Sequence, residues 1–422
     1  MRPSAMIQED EPSERSRTMN NFAHVILGGG VSAGHAVKEL VTQGVGRDAL
    51  CLISAENDPP YERPPLSKGL LRGKISTEKP VIHSREFYEE HGIALMLNTS
   101  VEAVDFDQRR LVTQAGPVGF KKLLLVTGSQ ARLLDCPGVM LEGVIHLRTL
   151  ADARRILERL DSARRATVIG GGFIGSEVSA SLRSRGLEID WLYREDRILE
   201  DRPHTPEMSA SFEEVFRGHG VTLHPNDRPK AFQGDERVER VLTTGGQELP
   251  TDLVVVGIGA TPHTELFEGS PVDVDGGILV NEQLETSVAD VFAAGDVVRY
   301  PDPRFGRLRV EHWDTAVRQA RHAARAMLGN RESYEELPYY FSDVFDLSWE
   351  YWGHQAGADT VVYRGNVKSD SFSAFWLRDG AVVAAFVMGR SSEEREAAQK
   401  MVASGAKVSA AKLEDQSAAL PA

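Results

Sequence analysis

The chain of 422 residues has only two cysteines, Cys51 and Cys136. Two isolated cysteines cannot build a disulfide framework or a zinc site. They also exclude a CxxC or CxxxxC redox pair, and their scarcity fits a reducing compartment. Long apolar runs are missing too, since nothing approaches the ~18 apolar residues needed to cross a bilayer. Positive charge is in deficit: 48 Lys and Arg stand against 62 Asp and Glu, a formal charge of -14. Such a molecule repels phosphate backbones and anionic lipid, which makes nucleic acid and membrane poor partners on average charge. The N-terminus has no apolar h-region, and its acids (Glu9, Asp10, Glu11, Glu14) argue against a transit peptide. Residues 1–20 are therefore expected to be a disordered tail, with Met19 as an alternative start. The expected compartment is the cytoplasm.

What is present fits a globular protein of two or three domains, with 41% hydrophobic and 26% charged residues. One pattern occurs twice. An apolar run, His24-Val25-Ile26-Leu27, leads into Gly28-Gly29-Gly30-Val31-Ser32-Ala33-Gly34 and a helical stretch to about Gln43. The second copy runs Ala166-Thr167-Val168-Ile169, then Gly170-Gly171-Gly172-Phe173-Ile174-Gly175, then a helical stretch to about Arg185. Each is a buried strand, a glycine turn and a helix, followed by another apolar strand at Leu50 to Ser54 or Glu188 to Tyr193. This is the opening of a Rossmann unit, whose helix N-terminus offers N–H groups and a positive dipole end to a pyrophosphate. Gly28 permits the tight turn, Gly30 lets the backbone approach the phosphates, and Ala33 is small enough for helix–strand packing. Glu56 follows the second strand, where an acid binds ribose hydroxyls. The second fingerprint, Gly170, Gly172 and Gly175, is stricter. Two such sites imply two different dinucleotides.

Asp296 ends an apolar strand in Ala293-Ala294-Gly295-Asp296-Val297, where its carboxylate can accept a hydrogen bond from a polyol hydroxyl; the plain alternative is a helix N-cap. A long helix rich in Ala and Arg is predicted over Thr315 to Leu328. After Glu335 the character changes, and Tyr339-Tyr340-Phe341 and Phe372 to Phe375 read as strands of a small α+β unit. The last ~15 residues are Ala, Ser and charge and are expected to fray.

Together with Val126-Thr127-Gly128, Gly257-Ile258-Gly259-Ala260-Thr261-Pro262 and Ala294-Gly295-Asp296, these units resemble the glutathione-reductase-like flavoprotein superfamily. The segment Pro60-Tyr61-Glu62-Arg63-Pro64-Pro65-Leu66-Ser67-Lys68 narrows the likeness. It is similar to the branch holding oxygenase-coupled ferredoxin reductases, apoptosis-inducing-factor-like proteins and monodehydroascorbate reductases. The resemblance implies an α/β fold with two Rossmann-like domains and a small C-terminal α+β domain. The FAD domain would be discontinuous (21–135 and 262–334), the NAD(P)H domain would span 136–261, and the C-terminal domain 335–422 would end in the frayed tail. It implies that Gly28, Gly30, Val31, Ser32, Ala33, Glu56, Arg63, Lys68, Val101, Arg148, Asp296, Glu311, His312 and Trp313 contact FAD. Gly170, Gly172, Phe173, Ile174, Gly175, Glu177, Arg194, Glu195 and Gly259 would contact NAD(P)H. Lys68 and Glu177 match a pair near the reactive flavin nitrogen, where a cation favours the reduced ring and the carboxylate holds the cation; the alternative is a structural ion pair.

The second unit's strand ends Tyr193-Arg194-Glu195-Asp196-Arg197. An acid there binds the adenosine ribose of NADH, whereas an Arg favours the 2′-phosphate of NADPH. Both kinds are present here; Glu195 matches a cofactor-binding acid of monodehydroascorbate reductases, and that resemblance implies NADH, while Arg194 and Arg197 keep NADPH open.

With no dithiol, electrons must leave the flavin directly. Stretches such as Phe345-Asp346-Leu347-Ser348-Trp349 resemble monodehydroascorbate reductases, but Val317 and Phe341 stand where that family carries an Arg and a Tyr. Neither can hydrogen-bond an ascorbate radical through its side chain. Arg299, Arg304, Arg307 and Arg309 cluster after Asp296, and Arg318, Arg321 and Arg325 share one helix face. An acidic ferredoxin docking near Arg304, Arg307, Arg309 and Arg318 is the first expectation. A reductase of monodehydroascorbate or quinones, and a redox sensor with little turnover, are the alternatives, as monomer or homodimer.

Overall fold

The computed structural model describes residues 19–200 and 203–421. Three sheets carry the architecture. In the first, five strands run parallel in the order Ala94–Met96, Leu50–Ile53, Asn20–Leu27, Val118–Leu125, Val291–Ala293. Val25 stands opposite Cys51 on one side and Leu123 on the other, and all three are fully buried. Strands covered on both faces read as continuous apolar runs, which is why these segments were visible in the sequence. The last strand arrives from far downstream, so the segment carrying Asp296 closes onto the same sheet as Gly28.

The second sheet is wholly parallel, in the order Val221–His224, Glu188–Leu192, Arg165–Ile169, Leu253–Val256, Val144–His146. In each sheet the glycine turn leaves the carboxyl end of a central strand, where open α/β sheets bind ligands. The third sheet is antiparallel and five-stranded: Tyr339–Val344, Leu347–Gly353, Ala381–Met388, Phe372–Arg378, Thr360–Gly365. Phe375 and Phe386 are fully buried within it. Helix Ser392–Ser404 covers one of its faces, capped by Ser391 at its start and by left-handed Gly405 (φ 60°) at its end.

Helix Trp313–Met327 packs on helix Val31–Thr42 beside the first sheet. Ala316, Ala320, Ala323, Ala324 and Met327 form its buried stripe at three- and four-residue spacing. Small side chains let the two helix backbones approach closely.

Two sequence expectations need correction. Residues 1–18 lie outside the described residues, but Asn20 already pairs with Val118 in the first sheet, so the expected tail is one residue too long. The expected frayed C-terminus is docked instead. Leu413 is fully buried, and the buried Arg364 guanidinium donates to the carbonyls of Leu413 (3.2 Å), Asp415 and Ala418 (2.7 Å). A guanidinium has five donors in a fixed fork, so one arginine satisfies several carbonyls of an irregular segment.

Candidate active site

A groove of about 860 Å³ runs between the two glycine turns. Gly28 holds φ 127° and Gly170 φ 113°, and a Cβ on either would strike the carbonyl of Val126 or Gly257 on the neighbouring chain segment. Glycine is required there by conformation and by space. Gly30 and Gly172 take the N-cap positions of helices Val31–Thr42 and Phe173–Ser184, and neither helix start has a side-chain cap. The open N–H groups thus face the groove, as a phosphate site needs.

The groove brings together Gly30, Val31, Ser32, Glu56, Arg63, Lys68, Arg148, Asp296, Glu311, His312 and Trp313 on the side of the first turn. It brings together Gly170, Gly172, Phe173, Ile174, Glu177, Arg194, Glu195 and Gly259 on the side of the second. Four expected residues fall outside the lining. Gly28 and Gly175 act beneath it: a Cβ on Gly175 would meet the Gly170 carbonyl and lie 3.0 Å from Trp191 Nε1. Ala33 is fully buried between helix and sheet. Val101 belongs to strand Val101–Asp105 at the sheet's edge and packs on the core, so its expected cofactor contact is not supported.

Polar groups in the groove hold one another. Arg63 donates to Glu56 at 2.7 Å and to the Arg148 carbonyl at 2.6 Å, while the Tyr61 hydroxyl also bonds Glu56. Arg148 pairs with Asp296 at 3.1 Å. Lys68 lies 3.2 Å from Glu177 and both are buried. His312 caps helix Trp313–Met327, and its Nε2 lies 3.2 Å from the Phe341 backbone nitrogen. Burial drives the His312 pKa down to about 4, with Lys68 pushing the same way, so the ring is neutral at pH 7. Trp313 Nε1 donates to Glu62, and Arg309 pairs with Glu311. At the other end Glu195 pairs with Arg194 at 2.8 Å, whereas Arg197 is drawn away to the buried Glu213 at 3.3 Å.

The matched family covers residues 22–320 and is described as pyridine nucleotide-disulphide oxidoreductase. The chain belongs to that family. A second match, described as monodehydroascorbate reductase 3-like, C-terminal domain, covers residues 337–420 of this oxidoreductase. Peroxisomal monodehydroascorbate reductase 4 of Arabidopsis thaliana is 37% identical over 400 residues, covering 90% of this chain and 82% of the relative. The tomato (Solanum lycopersicum) monodehydroascorbate reductase is 35% identical over 408 residues, covering 90% and 94%. Among solved structures, the ferredoxin reductase of the CYP199A2 system from Rhodopseudomonas palustris superposes with a TM-score of 0.87 at 32% identity, covering 94% of this chain and 98% of that one. The covalent putidaredoxin reductase–putidaredoxin complex gives 0.88 at 29% identity, covering 94% and 96%. The oxidoreductase is thus an NAD(P)H-dependent enzyme, and its family implies FAD beside NAD(P)H.

The lining fits that pair of dinucleotides: two uncapped helix starts for two pyrophosphates, and an acid beside each turn (Glu56, Glu195) for ribose hydroxyls. Bound FAD supplies a centre that accepts a hydride and can return electrons one at a time. Glu56, Arg63, Arg148 and Asp296 would hold it.

Sequence reasoning missed several contributors. Ser67, Ser342 and Asp343 surround the Lys68–Glu177 pair. Asp227, Arg228 and the segment Arg132 to Cys136 also line the groove. Ser67 lies in the segment that narrows the likeness but carries no signal of its role there; the others lie in no motif, and only the spatial return of distant segments places them. The expected arginine face is largely engaged: Arg304 binds Asp302, Arg318 binds Asp314 and Glu336, Arg321 meets His35, and Arg325 meets Glu39.

Proposed function

We propose that the enzyme takes hydride from NADH and passes electrons from FAD directly to a separate carrier protein of the acidic ferredoxin type. The observation that carries this reading is the exit end of the groove. Lys68, His312, Trp313 and Phe341 meet there without a thiol. Cys51 is buried in the first sheet, where its thiol pKa is pushed up to about 12, and Cys136 lines the groove with no second sulfur to pair with. No dithiol intervenes, so the acceptor must reach the flavin edge itself.

Val317 argues against a small polyhydroxylated acceptor, because it is buried with Val31 and Ala316 beneath Trp313. Phe341 offers a ring without a hydroxyl. For an acidic partner, the support is a recess of about 370 Å³ lined by Arg299, Arg307, Arg309, Arg378 and His354, in which Arg299 pairs with Asp275 and Arg309 with Glu311, so that Arg307 and Arg378 carry the docking charge. Among the described residues Arg307 donates only to backbone carbonyls, which leaves its charge without a carboxylate partner there. Arg309 lines both the recess and the groove, linking the patch to the exit. Arg304 and Arg318, tied to acids, are weaker docking candidates. Glu195 at the groove, with Arg197 turned away, favours NADH.

A second reading, reduction of monodehydroascorbate, is favoured by the 37% identity to the plant enzyme and by the match over 337–420. Among the described residues no helix is long and apolar enough to cross a membrane. The scarcity of cysteine supports a reducing compartment such as the cytoplasm, while the plant relative just cited is peroxisomal.

The two acceptors are separated by NADH-driven turnover with a two-iron ferredoxin and with monodehydroascorbate. The expected outcome is a higher kcat/KM for ferredoxin that falls with salt and falls about tenfold in the double variant Arg307→Glu, Arg378→Glu, as rim charges act mainly on association. Higher kcat/KM for monodehydroascorbate, indifferent to that double variant, would replace this reading with the second.

A further inference from the structure

Three consecutive residues of strand Tyr339–Val344 converge on the Lys68–Glu177 pair. The Phe341 ring centre lies 5.2 Å from Lys68 Nζ. Ser342 donates its hydroxyl to Glu177 Oε1 at 2.6 Å, the same oxygen that Lys68 meets at 3.2 Å. Asp343 places one carboxylate oxygen 3.3 Å from Lys68 and the other 3.4 Å from Arg72. On the far side Ser67 donates to Glu177 Oε2 at 2.5 Å. Lys68 therefore sits between two carboxylates contributed by different parts of the chain. Lys68, Glu177 and Ser342 are all less than 9% exposed, whereas the Asp343 side chain is 39% exposed. The Lys68 and Glu177 charges act on each other, and on anything bound beside them, with little screening, and Asp343 reaches them from the half-open edge of the pair.

We propose that Ser342 and Asp343 are positioning residues that set how much of the Lys68 charge is felt at the redox end of the groove. The antiparallel sheet is then part of the electron-transfer centre and not only a cover over it. The proposal rests on the functional reading above, in which that end of the groove receives the flavin ring.

The two residues act with opposite sign. Asp343 partly neutralises Lys68 and Arg72. Asp343→Asn keeps the shape and removes the charge, so the site becomes more positive and the reduced cofactor is favoured. Ser342 shares a Glu177 oxygen with Lys68. Ser342→Ala returns that oxygen wholly to Lys68, so the carboxylate cancels more of the ammonium charge and the reduced cofactor is disfavoured.

The test is an anaerobic redox titration of the FAD-loaded protein against a reference dye. Asp343→Asn is expected to raise the midpoint potential by a tenfold change in the two-electron equilibrium, about 30 mV. Ser342→Ala is expected to shift it the other way, and Ser342→Thr, which keeps the hydroxyl, to restore it. If Asp343→Asn does not fold, the Ser342 pair decides alone. Loaded variants with the wild-type potential, or both shifting in one direction, would overturn the proposal. Wild-type protein that takes up no FAD would instead overturn the functional reading beneath it.

Discussion

His204 is buried among the rings of Phe212, Trp349 and Phe386, with centroid distances of 5.1, 5.4 and 5.4 Å. Among the described residues neither ring nitrogen has a hydrogen-bond partner, and burial lowers its pKa to about 3. His312 is lowered to about 4 for the same principal reason. The sign of the pH effect follows from which state binds protons. Below the ordinary histidine pKa of about 6.5 the unfolded chain takes up protons that the native state refuses, so stability falls with acid. The loss begins near pH 6.5 and continues toward the native values, about 4 for His312 and 3 for His204. His204→Leu should therefore flatten the fall of Tm between pH 7 and about 4.5 while leaving the FAD content unchanged. A variant with the wild-type slope over that range would show that His204 is not protonated on unfolding.

Among the elements, the docked C-terminal segment is the one whose behaviour depends most on a single side chain. Arg364 holds three of its carbonyls and lies 3.4 Å from Glu394. Arg364→Leu removes the fork and half of a buried ion pair, at a cost of about 3 kcal/mol. The expected result is a lower Tm and rapid proteolysis after Lys412; wild-type resistance to both would mean that packing of Leu413 suffices. This element also shows where the sequence stopped being informative. Ala, Ser and charge at the end of the chain say nothing about an arginine some fifty residues upstream that satisfies their backbone. The glycine turns were legible because close approach to Val126 and Gly257 restricts the residue type itself. Asp296 was legible in part, as a carboxylate ending an apolar strand, whereas Glu311 and His312 were legible only through resemblance. Ser342 and Asp343 were not legible, since one is a common strand residue and the other an ordinary acid until the strand is laid against Lys68. The arginines misled for a related reason: a sequence displays charges but not partners, and Asp302, Asp314 and Glu336 neutralise residues that read as a free face.

At the scale of the molecule, the parallel strands of two sheets present their carboxyl ends to one groove, and the antiparallel sheet closes one end of it. Distant segments meet there: Lys68, Glu177, His312 and Phe341 come from four parts of the chain. Such an arrangement excludes water from one end while leaving an edge for a partner, which suits hydride entry at one face and electron exit at another. The central claim is that FAD is the sole redox station of the enzyme. Anaerobic titration with NADH measures this directly, by counting the electrons each chain accepts. One equivalent of NADH per chain should complete the reduction, with Cys51→Ser and Cys136→Ser variants behaving identically. Uptake of a second equivalent, lost on replacing either cysteine, would reveal a thiol station and contradict the account.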